Sequence, residues 1–325
     1  MQAQLIALDW GTTSLRAYLL GSAGRVLKMR VLASGIMQLP STPRLVAGHW
    51  CANGFELAFD DACGDWLAAT PGIPVIACGM VGSAQGWREA PYRETPASLA
   101  ALSSALQVVR SVRGCDIHIV PGVIERSTLP NVMRGEETQV LGVLRSHPHL
   151  NQCLIGLPGS HCKWVQVQDG AVVHFDTFMT GELYAAVCEH TILGRTQQRA
   201  GQFDDAAFDR GVQVALSPQG RLGPLSTLFS ARTLGLTGQL SATQQPDYVS
   251  GLLIGHELMA LRHSLGERPL PTIILIGNTQ LCERYQRALG ACGFSLVSLA
   301  EQATEQGLWH LAHAAGLLQH THLEG

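Results

Sequence analysis

The chain carries one short pattern twice: an apolar run, a tight turn of glycine and hydroxyl residues, and a second run of strand character. The first copy is Leu5-Ile6-Ala7-Leu8-Asp9-Trp10-Gly11-Thr12-Thr13-Ser14-Leu15-Arg16-Ala17-Tyr18, the second Leu157-Pro158-Gly159-Ser160-His161-Cys162-Lys163-Trp164-Val165. Each reads as a β-hairpin. One such hairpin needs no more than a polar turn to explain it. Two at matching places in a repeated order of elements restrict the fold far more. In the first half the order is βββαβαβ. Strands are expected at 4–9, 14–20 and 25–32, and a helix at 54–69 where Phe55, Phe59, Ala62 and Trp66 recur at helical spacing. A strand at 74–78, a helix near 97–111 and a strand at 116–120 follow. The second half repeats it with strands at 152–157, 162–168 and 171–178, the last two joined by the turn Asp169-Gly170. A helix opens at Thr180-Gly181 with Thr180 as N-cap. Helical segments at 204–215 and 246–265, a strand at 272–276, a helix at 279–291, a strand at 294–298 and a helix to about residue 320 complete the chain.

A length of 325 residues suits two domains of ordinary size. With 46% hydrophobic and 14% charged residues the chain reads as globular, and 22 basic against 25 acidic side chains form no basic stripe. That disfavours a nucleic-acid or anionic-membrane partner. The 9 cysteines are odd in number and none form a C-x-x-C pair, a pattern of reduced thiols rather than of disulfides or a zinc site. No signal peptide is present, and no apolar run nears the ~20 residues of a membrane span. The expected location is cytoplasmic.

The turns have a chemical reading beside the structural one. In the first, glycine lets the backbone approach a ligand, Thr12 and Thr13 donate hydrogen bonds to phosphate oxygens, and Asp9 faces a metal ion or its waters. In the second, Ser160 donates and Lys163 supplies a compact mobile cation. His161 and Cys162 are adjacent on a strand and point to opposite faces, so they make a poor pair of metal ligands. Asn131-Val132-Met133-Arg134-Gly135-Glu136-Glu137-Thr138-Gln139 places two acids at a helix start. The helix dipole alone accounts for acids there, but one of them is also a candidate general base. Arg134 is placed to hold an anionic group. Cys78-Gly79-Met80-Val81-Gly82-Ser83-Ala84-Gln85-Gly86-Trp87-Arg88 suits a loop that closes over a small polar ligand, with Arg88 or Arg93 as a carboxylate partner. Gly277-Asn278-Thr279 lies where a buried strand meets a helix N-terminus, the usual seat of a nucleotide in open α/β sheets. Walker A, G-x-G-x-x-G and G-x-S-x-G motifs are missing, which argues against P-loop kinases, dinucleotide enzymes and α/β-hydrolases.

In order, Asp9-Trp10-Gly11-Thr12-Thr13-Ser14, Gly159-Ser160-His161-Cys162-Lys163-Trp164 and Gly277-Asn278-Thr279 resemble the phosphate-1, phosphate-2 and adenosine motifs of the actin and hexokinase superfamily. Met80-Val81-Gly82-Ser83 with Gly86-Trp87, the segment 131–139, and Met179-Thr180-Gly181-Glu182-Leu183 resemble the signatures of the 2-dehydro-3-deoxygalactonokinase family. The likeness runs from Leu5 to about His313. It implies an α/β fold of two ribonuclease H-like lobes, a duplicated βββαβαβα, with the active site in the cleft between them. The lobes are expected at 1–133 and 134–325, the last helix packing back on the first lobe. The implied activity is ATP-dependent phosphorylation of the terminal (6-) hydroxyl of 2-dehydro-3-deoxy-D-galactonate in galactonate breakdown, with ATP and Mg²⁺ as cofactors. By position, Asp9 would organise Mg²⁺; Gly11, Thr12, Thr13, Gly159, Ser160 and Lys163 would hold phosphates; and Gly277, Asn278 and Thr279 would border the adenosine. Met80, Gly82, Trp87, Arg88 and Arg134 would meet the sugar acid. Glu136 and Glu137 resemble the Gly-x-Glu-Glu stretch of exopolyphosphatases, which ranks Glu137 first and Glu136 second as base. The superfamily's second phosphate turn carries an aspartate, replaced here by Leu157-Pro158, so metal binding leans on Asp9 and the glutamates. The expected partner is a small sugar acid, without nucleic acid or membrane, and a homodimer is a possible assembly. A polyphosphate or nucleotide phosphohydrolase is the alternative. A sugar-responsive repressor or an actin-like filament is less favoured, since a repressor needs a DNA-binding domain for which nothing precedes the first strand.

Overall fold

A computed structural model describes residues 2–198, 201–266, 270–294 and 297–318. The chain forms two compact units, one from Met1–Gln152, Gln166–Phe175 and Glu301–Gly325, the other from Cys153–Val165 and Asp176–Ala300.

In the first unit β1 (Leu5–Trp10) pairs antiparallel with β2 (Leu15–Leu20), which sets Asp9 opposite Arg16, and β3 (Val26–Leu32) continues the meander. Helix α1 (Gly54–Ala69) begins at Asn53, whose side chain accepts from the Phe55 and Glu56 amides. It returns the chain to β4 (Val75–Gly79), parallel to β1. The apolar face of α1, with Phe59, Ala62 and Trp66, packs on Leu8, Leu15 and Ala17 in one core. β5 (Gln107–Arg110) and β6 (Asp116–Ile119) complete a sheet of order β3-β2-β1-β4-β6-β5. The helix expected near 97–111 is therefore corrected: only Leu99–Ser103 is helical, and the chain then enters β5. Val108 and Val109 are stiff β-branched residues suited to a strand. The β5–β6 turn is also anchored from outside, because the buried Glu56 carboxylate accepts from Ser111 Oγ (2.7 Å) and the Val112 amide (2.9 Å).

The first unit also takes helix α2 (Glu136–Ser146) and the closing helix Ala303–Ala314. The division thus differs from the expected break at 133/134. The reason is local packing: a Cβ on Gly142 would stand 2.0 Å from the Ala303 carbonyl oxygen, and one on Gly307 would stand 1.9 Å from that of Thr138. Two backbones this close leave no room for a side chain, and Gln139 Nε2 donates to Thr304 Oγ1 (3.0 Å) across the same crossing.

The second unit repeats the plan. Strands β7 (Gln152–Leu157), β8 (Cys162–Gln168) and β9 (Ala171–Phe178) stand as expected. Helices α3 (Thr180–His190), α4 (Asp205–Leu216) and α5 (Gln245–Leu265) lead to β10 (Ile273–Ile276), α6 (Thr279–Ala291) and β11 (Val297–Ala300). The order β9-β8-β7-β10-β11, with β10 parallel to both its neighbours, matches β3-β2-β1-β4-β6. The duplication read from sequence is real. The tip of the β8–β9 hairpin, Gln166–Phe175, counts with the first unit, where Ala171 and Val172 pair with Ser98 and Ala97. Thr180 is not an N-cap; its hydroxyl donates to the buried Glu257 carboxylate instead. Ser295 and Leu296, in the strand expected at 294–298, lie outside the described residues, as do residues 319 and 320 of the closing helix. Among the described residues no helix is long and apolar enough to cross a membrane.

Replacing Gly307 by alanine forces the α2 crossing apart and is expected to cost about 1–3 kcal/mol, as overpacked cores do. Gly290→Ala, at a helical position with nothing within 4 Å, is expected to be neutral or stabilising. Thermal midpoints of the two variants check the contrast.

Candidate active site

The first turn is held from behind. Gly11 N–H donates to Ser14 O (2.9 Å), and a segment that sequence reading passed over, Ser34 to Met37, buttresses it. Trp10 Nε1 donates to Ser34 O (2.9 Å), Ile36 N–H to Gly11 O (3.1 Å) and Met37 N–H to Thr12 O (3.0 Å). Gly35 sits so close that a Cβ there would lie 2.4 Å from Thr12 backbone atoms. Thr12 and Thr13 are left exposed. Asp9, 18% exposed, accepts from Arg16 Nη1 at 3.0 Å. Burial raises its pKa although Arg16 opposes the shift.

Asp9 stands beside Cys78 in the β1–β4 register, and the start of α2 lies close by, since a Cβ on Gly135 would come 3.3 Å from Gly79 Cα. Gly135 has φ +107°, which glycine adopts at little cost. This turn lets both acids reach back to backbone donors. Glu136 accepts from the Arg134 amide (3.0 Å), and Glu137 from the Gly135 amide (2.7 Å) and Thr138 Oγ1 (3.1 Å). The two differ in access: Glu136 is half-buried, whereas Glu137 is 0% exposed. Burial, with the Glu136 charge beside it, pushes Glu137 up to about 8. Glu137 is therefore mainly a neutral acid at pH 7.

The loop after β4 is less free than expected. Met80 and Gly82 form a single helical turn, but the Trp87 ring lies 5.9 Å from both Trp10 and Phe55 and 5.8 Å from Phe59. Trp87 is thus tied to the core of its unit. Arg88 is exposed, and Arg134 is half-buried with Nη2 donating to Ala90 O (2.9 Å).

In the second unit Gly159 and Ser160 form the turn before β8, and α3 begins directly against it. A Cβ on Gly181 would stand 2.3 Å from Gly159 O, Glu182 N–H donates to Ser160 O (3.0 Å), and the Glu182 carboxylate pairs with His161. Lys163 is not a mobile surface cation: it is 6% exposed and donates to Thr177 Oγ1 (2.8 Å). Beneath the turn lies a group that sequence gave no signal for. The buried Glu257 of α5 accepts from Trp164 Nε1 (2.7 Å), Tyr285 Oη (2.8 Å) and Thr180 Oγ1. Burial raises its pKa. One carboxylate thereby joins β8, α3 and α6. Among the described residues no group of three or more His, Cys, Asp or Glu is placed to hold a metal ion by itself.

Gly277 ends β10 with φ +149°, Asn278 Oδ1 accepts from the Leu281 amide (3.2 Å) as N-cap of α6, and Thr279 is exposed. A cavity of about 930 Å³ opens one residue further on, lined by Gln280, Arg284 and Arg287 of α6 with Tyr184, Gln197 and Phe203. Arg284 stacks on the Phe203 ring at 4.2 Å, and Gln197 Nε2 is buried there without a hydrogen-bond partner among the described residues.

The family model for 2-keto-3-deoxy-galactonokinase matches residues 9–311. A Rhizobium meliloti protein carrying the 2-dehydro-3-deoxygalactonokinase name is 36% identical over 95% of this chain and 96% of its own. The Escherichia coli 2-dehydro-3-deoxygalactonokinase is 34% identical over 97% and 99%. A crystal structure from Sinorhizobium meliloti under the same family name superposes with a TM-score of 0.82 at 34% identity, covering 95% of this chain and 98% of that one. The chain belongs to the 2-keto-3-deoxy-galactonokinase family.

Proposed function

We propose that the chain phosphorylates the terminal hydroxyl of 2-dehydro-3-deoxy-D-galactonate at the expense of ATP. One observation supports the reading most: each unit repeats the same strand order and presents a braced Gly-hydroxyl turn at the same place in it, in a chain that matches a sugar-acid kinase family along its length. A phosphohydrolase would also use such turns, but no relative described above carries such a name.

In this reading each turn is a seat for phosphate oxygens. Thr12, Thr13 and Ser160 offer hydroxyls, the backbone amide of Gly159 adds a donor, and Lys163 contributes a positive field from within β8. Mg²⁺ fits the residues present. Asp9 is a hard oxygen donor, and this ion takes one or two carboxylates and completes its shell with phosphate oxygens and water. It would neutralise developing phosphate charge. Arg16, now on Asp9, would have to share that carboxylate. The cavity beside Gln280, Arg284 and Phe203 is proposed to take the adenine, with Gln197 Nε2 as a donor to it.

The Gly-Glu-Glu segment is proposed to supply the base. The ranking expected from sequence is reversed here on physical grounds, since a base must touch the sugar hydroxyl and be ionised. Glu136 has access; Glu137 is enclosed and mainly protonated. Glu137 is then a positioning group, holding the Gly135 amide and so the aim of its neighbour. Phosphoryl transfer asks mostly for such positioning and charge placement.

An assay of ATP consumption against a panel of 2-keto-3-deoxy sugar acids and neutral aldohexoses tests the function. Turnover is expected with the galactonate-derived acid; turnover on neutral hexoses alone would overturn the reading, and ADP release independent of any acceptor would favour the hydrolase. A second expectation concerns pH. Glu137 binds its proton more tightly folded than unfolded, so the stability it contributes is complete below about pH 4.5 and is lost as pH rises toward 8. The thermal midpoint of Glu137→Gln should fall less between pH 5 and 8 than that of the wild type; equal slopes would contradict the assignment.

A further inference from the structure

We propose that Arg134 and Ser83 form the seat of the substrate carboxylate, an inference that rests on the sugar-acid kinase reading and names the group that recognises the acid. Three donors in the first unit are shielded from solvent and lack a hydrogen-bond partner among the described residues: Arg134 Nε, Arg134 Nη1 and Ser83 Oγ. A guanidinium carries donors only and keeps its charge at any working pH. Leaving its nitrogens unpaired inside a protein is costly, so the site is built for an anion that arrives later.

The guanidinium is fixed in place for that purpose. Nη2 donates to Ala90 O (2.9 Å), the Tyr92 ring lies 4.3 Å from its carbon, and a Cβ on Gly82 would stand 3.0 Å from Nη1. Only glycine at 82 leaves that nitrogen uncrowded, and residue 83, next along the chain, brings the third donor. The unpaired guanidinium nitrogens match a carboxylate, and Ser83 Oγ matches the ketone oxygen next to it, the C1–C2 end of a 2-keto acid. The Arg134 amide also holds Glu136, so the segment that anchors the acid is the segment that carries the proposed base.

The cover is Tyr92. It is 39% exposed, and its hydroxyl makes no hydrogen bond among the described residues, so the ring can leave the guanidinium without breaking one. The other arginines considered from sequence, Arg88 and Arg93, are exposed and carry no such unpaired nitrogen.

The test compares the acid with its neutral C1 amide as acceptor, in the wild type and in Arg134→Met, Arg134→Lys and Ser83→Ala. The wild type should favour the acid. Arg134→Met should lower kcat/KM for the acid by about 100-fold and that for the amide by less than about threefold, so that discrimination collapses, with KM for ATP unchanged. Arg134→Lys should recover part of the preference, and Ser83→Ala, which removes one neutral donor and keeps the test usable if Arg134→Met does not fold, should cost about 10-fold on the acid. Discrimination that survives in Arg134→Met, or equal losses on acid and amide, would overturn this assignment alone. A wild type that accepts neither compound would overturn the kinase reading and this proposal with it.

Discussion

The candidate chemistry depends on how closely the start of α2 is held against the ends of β1 and β4. Gly135 and Gly79 make that approach, and the glycine crossing of α2 with the closing helix keeps it from relaxing. The consequence is electrostatic. Glu137 loses all contact with water, keeps its proton to about pH 8, and spends its oxygens on the Gly135 amide and Thr138, while Glu136 stays within reach of a ligand. Burial, with the Glu136 charge beside it, thereby holds Glu137 protonated well above the usual carboxylate range.

The second unit solves a similar problem with different residues. Gly181 allows α3 to begin on the Gly159-Ser160 turn, and the Glu257 carboxylate binds α3, β8 and α6 from inside. Such a network is favourable because both carboxylate oxygens are met by donors; with one partner removed it would leave a buried charge or dipole uncompensated. It also couples the Gly159-Ser160 turn to the helix that lines the cavity at Gln280 and Arg284. A helix start pressed onto a strand end by a glycine is therefore common to both units, as the hairpins are.

Much of this was legible in the sequence because short-range chemistry dictates it. The three strands at 152–157, 162–168 and 171–178 and the helix at 279–291 are where alternation, the Asp-Gly turn and the Asn278 cap place them. The segment at 107–110 was not, since its strand pairing depends on β6 and on Glu56 from α1, both distant in sequence. Thr180 misled for a similar reason: its hydroxyl prefers a buried carboxylate 77 residues away to its own helix. Asp9, Thr12 and Ser160 could be named from their turns, but the Ser34-to-Met37 buttress, Glu257 and the unpaired Arg134 nitrogens exist only once the chain is folded. Trp87, expected over a ligand, is drawn instead into the aromatic group of Trp10, Phe55 and Phe59.

The central claim is that the Gly135-Glu136-Glu137 start of α2 supplies both the base and the group that aims it. Single-turnover rates of phosphoryl transfer in Glu136→Gln and Glu137→Gln test it most directly. A loss of at least about 100-fold is predicted for Glu136→Gln, the scale of general-base catalysis, and a smaller loss for Glu137→Gln. Transfer at near wild-type rate in Glu136→Gln would contradict the account.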